Sequence, residues 1–135
     1  GLAADSVGAC EAMFAQALEY SKVREQFERV IGSFQGVKHS LADMITALEP
    51  AKALTWYAVH AQTALPRDEA HRMALHAKAH MAEVGRMVAR FSTEVHGGMG
   101  FTDDLGLHYW FKRIGLDRQL LGSPEQIRGE IGVTA

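Results

Sequence analysis

The chain has 135 residues, of which 47% are hydrophobic and 22% charged, and its formal net charge is -2. These values are typical of one soluble globular domain, and they argue against nucleic acid or an anionic membrane surface as a partner. No apolar run approaches the roughly 18 to 20 residues of a membrane span. The single cysteine, Cys10, cannot form an internal disulfide, which predicts a reducing compartment, the cytoplasm. The chain begins with Gly1 and shows no signal-peptide pattern, so we expect it to be part of a longer protein.

Three long helices are predicted from apolar residues that recur at helical spacing. The first covers residues 2–30, and the second begins near Val37 and continues towards Pro66. Pro50 is expected to kink this second helix or to split it in two. The third is predicted over Arg67–His96, where apolar residues step by four and three along one face.

Shorter elements follow this third helix. A glycine-rich loop, HGGMGFTDD, occupies 96–104, and a short helix is predicted near Leu105–Gln119. The sequence SPEQ then begins a last helix with Ser123 at the N-cap, proline at N1 and glutamine at N3 of a capping box. Strand-like alternation is absent. We therefore predict an all-α fold, an up-and-down bundle of three long antiparallel helices plus one or two short C-terminal helices, as a single domain over 1–135.

Two isolated patterns carry little chemical information. His76, His80 and Glu83 have metal-ligand spacing on the third helix, but HExxH and further ligands are missing, so we expect a solvated helix face and no metal. The glycines of HGGMG, which include Gly97 and Gly98, allow backbone N–H groups to approach an anion. Their spacing is not GxGxxG and no strand precedes them, so a loop between two helices explains them equally well.

A third set of residues surrounds the predicted turn between the first two helices. Arg24, Gln26, Phe27 and Gln35 supply a guanidinium, two amides and an aromatic ring, which together suit an anionic, planar ligand. The alternative is the last turn of a helix, with a basic residue near the helix dipole and Phe27 in the core. Taken alone, this set favours the alternative.

The ordered motifs YxxxRxQF, FQxVxxxLADM, HGGMGFT and GSPEQIR, spread from about Ala3 to Ile131, resemble the C-terminal domain of the acyl-CoA dehydrogenase family. The resemblance implies two further domains, N-terminal helical and middle β, that this chain lacks. It also implies FAD bound between domains and subunits. Arg24 matches an arginine that contacts the FAD pyrophosphate of a neighbouring subunit, and Phe27 matches the aromatic residue after it. Gln35 matches a glutamine near the adenine, and Gly97 and Gly98 match a glycine pair close to the cofactor.

Two cofactor positions depart from the family pattern. Glu94 stands where the family usually has glutamine, which replaces a donor and acceptor with an anion near a pyrophosphate. Ser123 stands where the family has threonine after the catalytic segment, and it keeps the hydroxyl.

The resemblance also implies α,β-dehydrogenation of an acyl-CoA thioester, in which a carboxylate takes the α-proton while hydride leaves Cβ for the flavin. In many members this carboxylate is a glutamate whose position here holds Leu121, preceded by Leu120. The nearby carboxylates Asp117 and Glu125 are expected to be a solvated helix residue and a residue that compensates a helix dipole. The N–H of Leu121 remains available to a thioester carbonyl.

Three accounts of the missing base stay open. The base lies upstream of Gly1, or it belongs to a different subunit, as in relatives from bacterial steroid breakdown, or activity has been lost. We favour the second account, a base-lacking subunit of a hetero-oligomer. A non-catalytic helical assembly domain is the alternative function, and an unrelated bundle would have Arg24, Phe27 and Gln35 buried apart from a common surface. Acyl-CoA and a homo- or hetero-oligomeric partner are expected for the full-length protein, whereas the isolated domain is expected to be inactive and to self-associate.

Overall fold

The computed structural model describes residues 1–102 and 106–134, and the described residues form a helical bundle, which confirms the predicted all-α fold. A two-stranded hairpin and two short 3-10 helices, Ile31–Ser33 and Gly97–Phe101, connect the long elements. The helices and strands are α1 (Leu2–Val23), β1 (Glu25–Gln26), β2 (Arg29–Val30), α2 (Gln35–Ala64), α3 (Arg67–His96), α4 (Leu107–Gln119) and α5 (Pro124–Thr134).

The core lies between the three long helices, and α3 contacts each of the other four helices. Its apolar residues fall on one face because they repeat with helical spacing, as the sequence predicts. Methionine and leucine side chains fill the centre, and burying each stabilises the fold by about 1.5–3 kcal/mol. The largest fully buried apolar side chains of this centre are Met13, Met44, Leu48, Met81 and Val88.

The first helix is shorter than predicted, because it ends at Val23 and not near residue 30. Arg24 adopts an extended conformation, and its carbonyl accepts a hydrogen bond from the N–H of Ile31 at 2.8 Å. This bond closes a hairpin whose two-residue loop, Phe27–Glu28, has positive φ at both positions. Apolar spacing did not reveal the hairpin because its strands are only two residues long.

The predicted split at Pro50 does not occur, since α2 is one continuous helix from Gln35 to Ala64. Proline removes one backbone hydrogen bond from a helix. Leu48 and Ala51, two and one positions from Pro50, are each only 1% exposed. Packing of this face against the other long helices therefore compensates for the lost bond.

The bounds of α3 and α4 agree closely with those predicted from the sequence. α3 has the predicted bounds, and α4 begins at Leu107, whereas the predicted first residue, Leu105, lies outside the described residues. Gly85 allows α4 to approach α3, because a Cβ added at Gly85 would lie 2.9 Å from Ile114 Cγ2. The described part of the chain contains no helix long and apolar enough to cross a membrane.

The capping box of α5 is confirmed. The Ser123 N–H donates to Gln126 Oε1 at 2.8 Å, and the Gln126 N–H lies 3.4 Å from Ser123 Oγ. The reciprocal bonds satisfy two backbone donors that the first turn of a helix leaves unpaired. They also fix the end of the turn that joins α4 to α5.

Because successive long helices run in opposite directions, the loops lie at two ends of the bundle. The C-terminus of α1, the N-terminus of α2 and the C-terminus of α3 share one end, where the rings of Tyr20 and His96 lie 4.5 Å apart. We call residues 24–35 and 94–101 the hairpin end. We call residues 120–123, together with the first residues of α1 that share a cavity with them, the turn end.

Candidate functional site

The hairpin end carries an exposed cation and an exposed aromatic ring. Arg24 is exposed and has no ion-pair partner among the described residues. Phe27 is 87% exposed. The expectation that Phe27 lies in the core is therefore wrong, because the tight loop that ends β1 turns this residue away from the bundle. An exposed phenyl ring gains free energy only when a partner covers it.

Neighbouring side chains hold this aromatic group in place. The Phe27 ring meets the Phe34 ring edge-on, with centroids 6.2 Å apart, and the Arg29 guanidinium lies 3.8 Å from the centroid of the Phe34 ring. Both contacts are of the kind that stabilises aromatic clusters. Gln35 follows Phe34 directly as the first residue of α2 and is exposed. Arg24, Phe27 and Gln35 are thus all exposed, so they are not buried as the unrelated-bundle alternative expects.

The glycine pair lies at the same end. Gly97 has φ +58 and ends α3, a conformation that favours glycine, and its N–H donates to the Glu94 carbonyl. A Cβ added at Gly97 or Gly98 would meet nothing within 4 Å, so the backbone here is open to an approaching group. The Glu94 carboxylate is exposed and pairs with Arg90 at 3.7 Å. The Arg90 guanidinium partly offsets the negative charge of Glu94, which the glutamine usual at this position in the family would not carry.

The turn end is organised around Leu121. Leu121 has φ +57 and is 86% exposed, and Gly122 follows with φ +102. A left-handed leucine costs about 1–2 kcal/mol, so the surrounding contacts must fix the turn. The Leu120 N–H donates to the Leu116 carbonyl at 3.0 Å, and Lys78 Nζ donates to the Gly122 carbonyl. Within the described residues, no hydrogen-bond acceptor contacts the N–H of Leu121.

Leu121 borders an apolar cavity of about 520 Å³. The cavity lies between the start of α1, the second half of α2 and the first half of α3. Lys78 provides an ammonium group at its wall, and burial lowers the pKa of this lysine. The apolar wall residues include Leu2, Ala58, Val59 and Leu75.

Asp117 is buried, with 4% exposure, so the expectation of a solvated helix residue is wrong. Its carboxylate accepts a hydrogen bond from Ser6 Oγ at 3.0 Å. Burial raises the pKa of Asp117, and a hydrogen bond with Asp5 raises it further. Arg113 forms two hydrogen bonds to Asp5, at 2.6 and 2.9 Å, and lowers the pKa of that carboxyl. This network joins α1 to α4, and the sequence did not reveal it because its α1 members lie more than 100 residues from its α4 members.

Glu125 lies in the first turn of α5, as predicted. It is exposed and pairs with Arg118 at 2.8 Å. Hydrogen bonds from its own backbone N–H and from Ser123 lower the pKa of its carboxyl. The same Arg118 lies 3.4 Å from Glu83 on α3, so the pair connects the last helix to the bundle.

The histidine pair on α3 lies elsewhere. His76 and His80 border a shallow depression with Arg128 of α5. Across residues 1–102 and 106–134, no group of three or more His, Cys, Asp and Glu side chains is placed to hold a metal ion.

The predicted cofactor residues divide between the two ends of the bundle. Arg24, Phe27, Gln35, Glu94, Gly97 and Gly98 share the hairpin end, whereas Ser123 lies at the turn end beside Leu121. Lys78, which contacts the turn, and Gly97 are separated by 19 residues along α3, or roughly 28 Å at 1.5 Å per residue. One pyrophosphate therefore cannot contact both groups of a single chain.

Known proteins share both the sequence pattern and this geometry. Residues 1–134 match the family model described as acyl-CoA dehydrogenase, C-terminal domain. An acyl-CoA dehydrogenase of Mycobacterium tuberculosis, IpdE2, is 36% identical over 93% of this chain and 37% of its own length. The solved butyryl-CoA dehydrogenase of Megasphaera elsdenii is 27% identical, with a TM-score of 0.93 over 99% of this chain and 34% of that chain.

A steroid ACAD, Tcur3481-Tcur3483, solved as a variant, is 33% identical, with a TM-score of 0.90 over 98% of this chain and 36% of that chain. The chain thus spans little more than a third of the length of each of these three relatives. It belongs to the acyl-CoA dehydrogenase family, and it corresponds to the C-terminal domain of that family.

Proposed function

We propose that this chain is the FAD-contacting and oligomerisation domain of an acyl-CoA dehydrogenase-like oxidoreductase, and that it comes from the base-lacking subunit of a hetero-oligomer. The exposed residues of the hairpin end support the cofactor role. Arg24 offers a guanidinium to a pyrophosphate, Phe27 a ring face, and Gln35 an amide to a base edge. Gly97 and Gly98 leave the backbone open to close approach.

The separation of the two ends supports a cofactor shared between subunits. Arg24 and Leu121 lie at opposite ends of a bundle whose three long helices span 22, 30 and 30 residues. If the hairpin end contacts the flavin of a neighbouring subunit, the turn end is available to bind the substrate of its own subunit. Ser123 lies at the turn end, so its role concerns that second site.

The observation that carries the proposal is the turn end, where the N–H of Leu121 suits thioester binding but the leucine side chain cannot remove a proton. FAD, when bound, accepts the hydride that leaves Cβ of the acyl chain. The N–H of Leu121, which has no acceptor among the described residues, donates to the thioester carbonyl, polarises it and so acidifies the α-carbon. A leucine side chain cannot take the α-proton, so the reaction requires a carboxylate on another subunit or upstream of Gly1.

The substitution Leu121→Glu in the full-length assembly tests this proposal. The position is 86% exposed, so a carboxylate at this position reaches the ligand without burial. If only the base is missing, acyl-CoA should bleach the flavin absorbance of the Leu121→Glu variant more than that of the wild type. Leu121→Gln has a similar shape but is not a base, and it should leave bleaching at the wild-type level. Equal bleaching in all three proteins would contradict the proposal.

The hetero-oligomer makes a separate expectation. The similarity to the steroid ACAD supports a partner subunit of the same family and a bulky or steroid-derived acyl-CoA. Full-length protein purified alone should lose its flavin absorbance and retain it with a co-expressed partner. Retention without a partner would support a homo-oligomer with a base upstream of Gly1. The predictions of a cytoplasmic location and of an inactive isolated domain stand beside this proposal.

A non-catalytic assembly domain is the second candidate. Large apolar side chains are exposed on α2 and α4, which is typical of surfaces that another chain covers. Absence of flavin both with and without the partner would support this function. The exposed side chains on these helices are Trp56, Tyr57, Val59, Tyr109, Trp110, Phe111 and Leu116.

A further inference from the structure

Lys78 reaches the turn that carries Leu121 from a different helix. It lies on α3, and its Nζ donates a hydrogen bond to the Gly122 carbonyl, 44 residues further along the chain. The lysine is partly buried at the wall of the apolar cavity. A hydrogen bond from an ammonium to a carbonyl is stronger than a neutral one, particularly away from water.

The turn depends on this contact because its conformation is strained. Leu121 has φ +57, which a leucine rarely adopts, and Gly122 has φ +102. The helix end at Leu120 and the capping box at Ser123 fix the two flanks. Between these flanks, Lys78 makes the one hydrogen bond that connects the described residues 121 and 122 to the rest of the bundle.

The charge of Lys78 is balanced from beneath the turn. The pKa of Lys78 is lowered by burial, raised by the nearby Asp117 carboxylate and lowered by Arg118. Asp117 is itself fixed by the hydrogen bond from Ser6. A series of polar groups thus runs from α1 through α4 to the lysine that contacts the turn.

We propose that Lys78 is a positioning residue, which holds the Leu121–Gly122 turn through the Gly122 carbonyl and thereby aims the Leu121 N–H at the thioester carbonyl of a bound acyl-CoA. The first half of this inference concerns the chain alone, and the second half rests on the proposed function. Lys78 touches neither the proton nor the hydride that is transferred. Its effect passes through the backbone of the turn.

The first experiment needs no ligand. A nitroxide spin label is attached at Leu121→Cys in the full-length protein, in a background in which other reactive cysteines have been replaced. Lys78→Met, which keeps the side-chain length but removes the donor, should raise the mobility of the label in its electron paramagnetic resonance spectrum. Lys78→Arg should restore the immobilised spectrum. An unchanged spectrum in Lys78→Met would overturn the inference whether or not the protein binds FAD.

The second experiment measures the thioester itself. An acyl-CoA whose acyl chain carries a steroid ring system, labelled with ¹³C at its thioester carbonyl, is bound to the holoenzyme, and the infrared stretch of the carbonyl reports its polarisation. Lys78→Met should reverse most of the downward shift and weaken binding about tenfold, the loss expected for one hydrogen bond. Lys78→Arg should recover both. No shift in the wild type, with the label mobility changed as expected, would refute the proposed function and leave the positioning role standing.

Lys52→Met is the matched control. Lys52 also donates across helices, from α2 to Glu11 of α1, but this contact does not involve the turn. The control should leave the label mobility, the carbonyl shift and the binding constant at their wild-type values. Equal changes in Lys52→Met and Lys78→Met would show a general loss of bundle stability and would overturn the positioning role.

Discussion

The hairpin loop allows the strain at one residue to be measured. Glu28 has φ +64, a left-handed conformation that costs a residue with a side chain about 1–2 kcal/mol. Glu28→Gly removes this cost, whereas the greater freedom of glycine in the unfolded chain costs about 0.5–1 kcal/mol. We expect the free energy of unfolding to rise by about 0.5–1 kcal/mol. For a chain of 135 residues, this corresponds to a rise in Tm of about 2–4 °C.

Thermal unfolding followed by circular dichroism measures this change against two variants with the same loss of charge. Glu28→Ala retains the left-handed strain and should show no comparable gain in Tm. Glu25→Gly lies in β1 at a residue without positive φ, so it should lower the free energy of unfolding by about 0.5–1 kcal/mol. If Glu28→Ala stabilises the protein as much as Glu28→Gly, the gain comes from charge and the argument from backbone strain fails.

Three further predictions concern the packing and the buried groups of the bundle. Gly85→Ala should destabilise the fold by about 1–3 kcal/mol, because the added Cβ overpacks the contact with α4. Gly115→Ala should stabilise the fold by about 0.5–1 kcal/mol, because its Cβ meets nothing within 4 Å. Urea denaturation of the two variants measures both changes. Because the pKa of Asp117 is raised in the folded state, the free energy of unfolding falls as pH rises above the pKa of the unfolded chain, about 3.9. Asp117→Asn should therefore stabilise the protein at pH 7 but not below about pH 4. The control Asp43→Asn, at an exposed position, should not stabilise it in this way. Burial raises the pKa of Cys10 to about 12, so a thiol reagent should label it at pH 8 only in denaturant, and rapid labelling of the native protein would contradict this.

The cofactor assignments of the hairpin end rest on resemblance and stay predictions, whereas the exposure of these residues is decided by the tertiary structure. The sequence by itself favoured a helix that continued to residue 30 with Phe27 inside. The hairpin that replaces the last turns of that helix exposes Phe27 and leaves Arg24 unpaired among the described residues. Two-residue strands leave no periodic pattern in a sequence, so their effect on these side chains could not be predicted.

The sequence alone determined the helical bundle, the bounds of α3 and the capping box at Ser123. Each depends on contacts between residues three or four positions apart, which are visible as spacing along the chain. It also determined that Leu121 cannot act as a base, because that is a property of the side chain itself.

Only the tertiary structure decided how the turn is held and which carboxylates are buried. Lys78 meets the Gly122 carbonyl, and Ser6 meets Asp117, across 44 and 111 positions of sequence. Such contacts exist because α1, α3 and α4 pack side by side, and no local pattern encodes them. The same packing removes water from Asp117 and raises its pKa, because a buried carboxylate loses the hydration that stabilises its charge. The sequence does not show this burial.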